Sequence, residues 1–170
     1  MNPPTRNSII LVDTNAIAAA HKLNCWNALK RSYKLHTVEL CIEEATRPNR
    51  QGRRLVDRDP DQLKSDFAKV VMVDKKSQAE LMLAVGNRND VDEGERDLLA
   101  YAKSLSGNVW WLCGPDNGTV HAMRILRLFE RMVSLEAIAQ GCGHRFKSLP
   151  QNYSEEWLAN HRRAFLFDDL

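Results

Sequence analysis

The chain has 170 residues, 44% of them hydrophobic and 27% charged, with a formal net charge of +2. That length holds one domain with a proper core, and the composition is that of an ordinary globular protein, which excludes the disordered and membrane-spanning classes. Four cysteines, Cys25, Cys41, Cys113 and Cys142, form no CxxC pair, so reduced thiols are expected rather than a disulfide framework, and Cys142 with His144 lacks the further ligands that zinc needs.

The polar start through Ser8 and the short apolar run Ile9 to Val12 fit neither a secretory leader nor a membrane span, and the expectation is a cytoplasmic protein with no membrane partner. Residues 1 to 7 read as a flexible N-terminus. The charge is unevenly spread: residues 14 to 58 hold nine Lys or Arg against four acids, a surplus of +5 that leaves −3 for the rest. A locally basic stretch suits a phosphate-backbone partner, although it also suits a solvated face.

In chain order, Ser8 to Asp13 is an apolar run ending in an acid, the pattern of a buried parallel strand. Residues 15 to 33 read as helix, 35 to 40 as a short extended stretch, and a helix through Glu43 and Glu44 stops at Pro48. Arg47 to Pro60 is a polar, Arg-rich loop. Helix is predicted over 61 to 68, strand over 69 to 73, helix over 75 to 86 and over 92 to 106, and strand over 109 to 113. After a Gly114-Pro115 turn come a helix over 119 to 130, a strand over 132 to 134 and a short helix over 135 to 140. A final amphipathic helix over 153 to 165 offers Trp157, Leu158 and Phe165 for docking. Alternating strands and helices predict an α/β fold, with residues 8 to 150 forming the domain and 151 to 170 a helical extension packed on it. No 20 to 50 residue repeat is visible.

In such sheets, sites form beyond the carboxyl ends of the strands. Two strands end there in acids, Asp13 and Asp116, each also readable as a turn or cap residue. Glu95 heads an apolar stripe with Leu98, Leu99 and Ala102 at i+3, i+4 and i+7, and a charge at the inner end of such a stripe is costly without a partner. Its competing role is a capping-box or dipole acid. Asp97 lies about 200° round from Glu95, so one of the two leads, Glu95 by its stripe, with Asp97 as an alternative ligand. Glu43 and Glu44 are about 100° apart, and one of them leads. A cluster of carboxylates holds a proton or a hard cation, and all-oxygen ligation suits Mg²⁺ or Mn²⁺. Such ions promote phosphodiester hydrolysis.

Together, Ile10-Leu11-Val12-Asp13-Thr14-Asn15, Cys41-Ile42-Glu43-Glu44, Asp92 to Asp97 with Ala100 and Ala102, and Trp111 to Asn117 resemble the ordered acidic motifs of PIN-domain nucleases. Val133 to Glu136 resembles the short strand and helix start that close these domains. The resemblance implies a three-layer α/β/α sandwich with a mainly parallel central sheet. It implies Asp13, Glu44, Glu95 and Asp116 as the catalytic, metal-binding set, Asp97 as a further metal-binding acid, and Asn15 and Asn117 as supporting residues. Asn15 resembles the residue that steadies a water on the metal or Asp13 itself. Gly114-Pro115 stands where the family often has Thr or Ser before its last Asp, so Asp116 and Asn117 share that position. The implied activity is metal-dependent endoribonucleolytic hydrolysis of RNA. The implied biology is toxin-like or RNA-processing: many relatives are toxins of toxin–antitoxin pairs, which would make an antitoxin protein a partner, and a second copy of the chain is a separate candidate partner.

Arg47, Arg50, Arg53 and Arg54 are the candidate RNA contacts. Arg124, Arg127 and Arg131 share a predicted helical face that also reads as a solubilising one. The five histidines are dispersed, and Trp110-Trp111 reads as core rather than as a base-stacking platform. Two competing classes are a non-catalytic nucleic-acid or protein-binding module whose acids are caps, and a phosphotransferase using a strand-end Asp. The haloacid-dehalogenase form of the latter needs a second Asp where this chain has Asn15.

Overall fold

A computed structural model describes residues 3–86, 90–105 and 107–168, without the side chains of 167 and 168. Ser106, the expected end of one helix, lies outside the described residues. The fold is α/β, a three-layer sandwich whose sheet is entirely parallel among the described strands. Its strands are β1 (Ile9–Val12), β2 (Lys34–Val38), β3 (Lys69–Val71) and β4 (Trp110–Cys113), in the order β3-β2-β1-β4. Ile10, Leu11 and Val12 are all buried, as a strand covered on both faces requires.

Nine helices are described: α1 (Thr14–Lys22), α2 (Trp26–Ser32), α3 (Glu39–Thr46), α4 (Pro60–Lys64), α5 (Lys75–Val85), α6 (Glu93–Ser104), α7 (Asn117–Ile125), α8 (Leu135–Gly141) and α9 (Glu155–Asp168). Helix α6 packs on β1 and β2 and gathers α3, α5 and α7, while α2 packs on β2 and α8. In α9, Leu158 and Phe165 are buried, and Phe165 packs against Phe129 with ring centroids 4.9 Å apart. Near the start of the chain, Asn7 N–H donates to Ser32 O at 2.7 Å.

Several elements end earlier than the sequence reading has them, among them the helix expected over 61 to 68, which is Pro60–Lys64, and three others differ in kind or extent. The helix expected over 15 to 33 is two helices, because Asn24 takes a left-handed φ of 58°, a conformation asparagine tolerates better than most residues. The helix expected over 119 to 130 ends at Ile125, with Arg127 at φ 57° and a 3₁₀ turn over Phe129–Arg131. Arg127 and Arg131 therefore do not continue the face of Arg124. Arg131 instead lies over the Trp110 ring, 4.9 Å from its centroid, and Arg124 lies 4.3 Å from that of Phe165. The strand expected over 132 to 134 is reduced to a bridge between Leu112 and Met132. Ser134 already caps α8 through Ala137 N–H, so little chain remains to extend.

Candidate active site

The chain places β2 and then β3 on one side of β1 and returns to place β4 on the other. The order therefore reverses between β1 and β4, and open parallel sheets bind ligands beyond the carboxyl ends of the strands at such a point. Val12 pairs with Cys113 across those strands, so the segments carrying Asp13 and Asp116 leave the sheet side by side. Each then starts a helix. Asp13 caps α1, its Oδ1 accepting from Ala16 N–H at 2.6 Å, and Asp116 caps α7, its Oδ1 accepting from Gly118 N–H at 2.6 Å.

Glu44 reaches the same region from the last turn of α3. Its Oε2 accepts from Thr14 Oγ1 at 2.6 Å and its Oε1 from Gly94 N–H at 3.1 Å. The contact with α6 depends on glycine: a Cβ at Gly94 would lie 2.5 Å from Glu44 Oε2. Glu43 points away, exposed and paired with Arg47 at 3.3 Å. The contacts to Thr14 and Gly94, not helix periodicity, single out Glu44.

Glu95 is 5% exposed and joined to Asp92 by a reciprocal capping box. Asp92 Oδ1 accepts from Glu95 N–H at 2.8 Å, and Glu95 Oε2 accepts from Asp92 N–H at 3.3 Å. The segment before α6 presses on α7, where a Cβ at Gly118 would meet Asp90 O at 2.1 Å. Three helix N-termini, each capped by an aspartate, therefore stand near one another. Asp92 is the acid that the sequence reading missed. Its signal was present in the Asp92-to-Glu95 capping spacing of a helix that starts at the site's edge of the sheet.

Capping accounts for one oxygen of Asp13 and leaves the other without a partner. Asp13 is 1% exposed, and its Oδ2 is buried with no hydrogen bond. Burial raises its pKa to about 8, opposed by the Ala16 N–H and reinforced by the charges of Asp92, Asp116 and Glu44. Burial likewise raises Glu95 to about 9, with Asp13, Asp92 and Asp116 adding to the shift. Glu44 is raised by burial and by Asp92, while its hydrogen bonds from Thr14 and Gly94 pull the other way. Asp13, Glu44, Glu95 and Asp116 thus share one field with Asp92.

Such a cluster either keeps protons or takes a cation. Among the described residues no three His, Cys, Asp or Glu side chains are assembled into a ready cation site; Glu44, Glu95, Asp92 and Asp116 are all held in hydrogen bonds to backbone N–H groups. The oxygen chemistry of the donors and the orphan Asp13 Oδ2 nevertheless fit a hard divalent ion, which would satisfy that oxygen and offset the repulsion.

Asp97 stands apart from these acids. It is buried, but its Oδ1 accepts from Gln78 Nε2 of α5 at 2.7 Å, and the acid that raises its pKa, after burial, is Glu93. It can be buried some 200° from Glu95 because α6 is enclosed by α3, α5 and α7 as well as by the sheet. Asn15 and Asn117 are exposed beside Asp13 and Asp116, and Asn15 O accepts from Tyr153 Oη at 3.4 Å.

Arg47, Arg50, Arg53 and Arg54 are exposed on the loop after α3. Asn49 shapes that loop, its Oδ1 accepting from Gln51 and Arg53 N–H, and Val56 pins it by a 2.8 Å bond to Ala45 O. Trp110 and Trp111 are buried. Comparison with protein-family models, with curated proteins and with solved structures finds no match to this chain.

Proposed function

We propose that this chain is a metal-dependent endoribonuclease of the PIN type that hydrolyses RNA phosphodiester bonds. The observation that carries the reading is the buried, unpartnered Oδ2 of Asp13 amid Glu44, Glu95, Asp92 and Asp116. These residues would hold Mg²⁺ or Mn²⁺, which supplies an electrophile for a phosphate oxygen and lowers the pKa of water. Thr14 and the Gly94 N–H fix Glu44, and the capping box fixes Glu95, so the acids keep their places as charge changes around them. In the reaction, water's oxygen bonds to phosphorus, one ester P–O bond breaks, and the products are a phosphate end and a hydroxyl end. The proton of that water would pass to a carboxylate of the cluster that the ion leaves uncoordinated, or to solvent. Arg50, Arg53 and Arg54 would provide an exposed positive surface for the RNA backbone.

A toxin role in the cytoplasm, with an antitoxin partner and a homodimeric state, belongs to the same proposal. No helix among the described residues is long and apolar enough to cross a membrane. The second reading, a binding module with structural acids, is favoured by the caps that Asp13, Asp92 and Asp116 make. Those caps need no buried carboxylate oxygen without a partner. Incubating the protein with single-stranded RNA in Mg²⁺, Mn²⁺ or EDTA separates the readings: cleavage that requires the metal and disappears in a folded Asp13→Asn variant supports the nuclease, and no cleavage with either metal rejects it.

A further inference from the structure

Asp13 begins α1 and His21 lies near its end, eight residues or about 12 Å along the axis. There a concavity of about 400 Å³ is lined by His21, Asn24, Trp26, Asn27, Lys30 and Arg58. Its two cations converge on one carboxylate, that of Asp66, whose side chain is 8% exposed. Lys30 Nζ donates to Asp66 Oδ1 at 2.7 Å and Arg58 bonds Oδ2, so the trio carries one surplus positive charge. Although burial acts to raise it, hydrogen bonds from Lys30, Trp26 and Arg58 hold the Asp66 pKa below its ordinary value, which keeps that carboxylate charged. An ammonium has three donor protons and a guanidinium five. Lys30 spends one on Asp66, and Arg58 spends its bonds on Asp66 and Gln62 O.

His21 stacks on Trp26 with ring centroids 4.7 Å apart, and its Nε2 is buried with no partner. Burial and the charges of Arg58 and Lys30, opposed by Asp66, lower its pKa to about 4. The ring is therefore neutral at pH 7, held so partly by cations whose field a bound anion would offset.

We propose that this concavity is a phosphate-binding subsite in which Lys30, Arg58 and the amides of Asn24 and Asn27 surround a tetrahedral oxyanion beside His21. The Arg-rich loop leaves α3 at Arg47, three residues after Glu44, and ends at Arg58 in this cavity. One stretch of chain thus links the acidic site to the subsite. The phosphate chemistry stands independently, while the choice of RNA as its bearer rests on the nuclease reading. The phosphate is either a terminal monoester or a backbone diester.

NMR of the His21 ring in metal-free protein with EDTA tests this, using inorganic phosphate, a short 5′-phosphorylated RNA and its 5′-hydroxyl counterpart as probes. Binding raises the His21 pKa by about one unit or more. Asn27→Asp puts a carboxylate at an exposed position in the first turn of α2, where an acid suits the helix, and weakens binding about tenfold or more by repulsion. A response to phosphate and only the 5′-phosphorylated RNA assigns a monoester subsite; equal responses to both RNAs assign a diester subsite. No response of His21 to any probe, or unchanged binding in Asn27→Asp, overturns the inference. Because no cleavage is read, either result leaves the metal-dependent reaction to its own test.

Discussion

Gly94 and Glu44 meet across fifty residues of chain with no room for a methyl group between them: a Cβ at Gly94 would lie 2.5 Å from Glu44 Oε2, and the glycine's N–H already holds Oε1 at 3.1 Å. Gly94→Ala must therefore displace the Glu44 carboxylate. The variant is expected to remain folded, because the obstructing atoms end a half-buried side chain, and to lose roughly 10- to 100-fold in metal affinity or cleavage. Thermal unfolding alongside a Mn²⁺ titration checks both parts.

Gly118→Ala is a harsher change. Its Cβ would meet the backbone oxygen of Asp90 at 2.1 Å, and a backbone atom cannot rotate aside. The segment entering α6 must move away from α7, at an expected cost of about 1–3 kcal/mol. Chemical denaturation measures that cost, and an unchanged midpoint would contradict the tight approach of these two segments.

Stability without metal should depend on pH in a specific sense. The folded pKa values of about 8 for Asp13 and about 9 for Glu95 lie above ordinary carboxyl values, so the folded state binds more protons than the unfolded state between about pH 4 and 9. The benefit of keeping these protons is complete below about pH 4 and is lost as pH rises through the folded values. These two groups therefore make metal-free stability fall toward pH 9 and then level off. Asp13→Asn keeps an acceptor for Ala16 N–H while removing the ionisation. It should be more stable than wild type at pH 8 by about 1–3 kcal/mol, and calorimetric melting from pH 5 to 9 in EDTA would reveal a flatter profile.

Much of this arrangement was legible in the sequence. The apolar run ending in Asp13 and the stripe led by Glu95 locate two acids, because both use the periodicity of a single element. Choosing Glu44 over Glu43 was beyond periodicity, since adjacent helical positions both border the core; Thr14 and Gly94, 30 and 50 residues away, decide it. Asp92 was overlooked because it reads first as a helix start, and only the meeting of α1, α6 and α7 makes that cap a neighbour of Asp13. Similarly, Asn24 and Arg127 end helical turns by left-handed conformations that the apolar pattern around them does not announce.

The separation of Glu95 from Asp97 gives a paired prediction. Asp97→Asn keeps the acceptor for Gln78 and should leave cleavage within about threefold of wild type, whereas Glu95→Gln should lower it by about a hundredfold or more. Single-turnover rates of the two variants on one RNA compare them directly. Equal losses would place both acids in the chemistry.

The exposed loop arginines are expected to act through charge alone. Replacing Arg50, Arg53 and Arg54 with Gln removes up to three phosphate contacts, so the slope of log affinity against log salt should fall in magnitude by up to about two for single-stranded RNA. Binding measured in EDTA from low to moderate salt determines this slope, and an unchanged slope would remove the loop from the RNA path.

If the orphan oxygen of buried Asp13 belongs to a divalent cation, calorimetric titration with Mn²⁺ at pH 7.5 in buffers of different ionisation enthalpy reads both the binding and the protons it displaces. Asp13 and Glu95 retain protons at that pH when no metal is present, so wild-type protein should bind Mn²⁺ with release of protons to the buffer. Asp13→Asn should bind at least about a hundredfold more weakly and release fewer. Equal affinity and proton release in the two proteins, or no binding by wild type, would contradict the account.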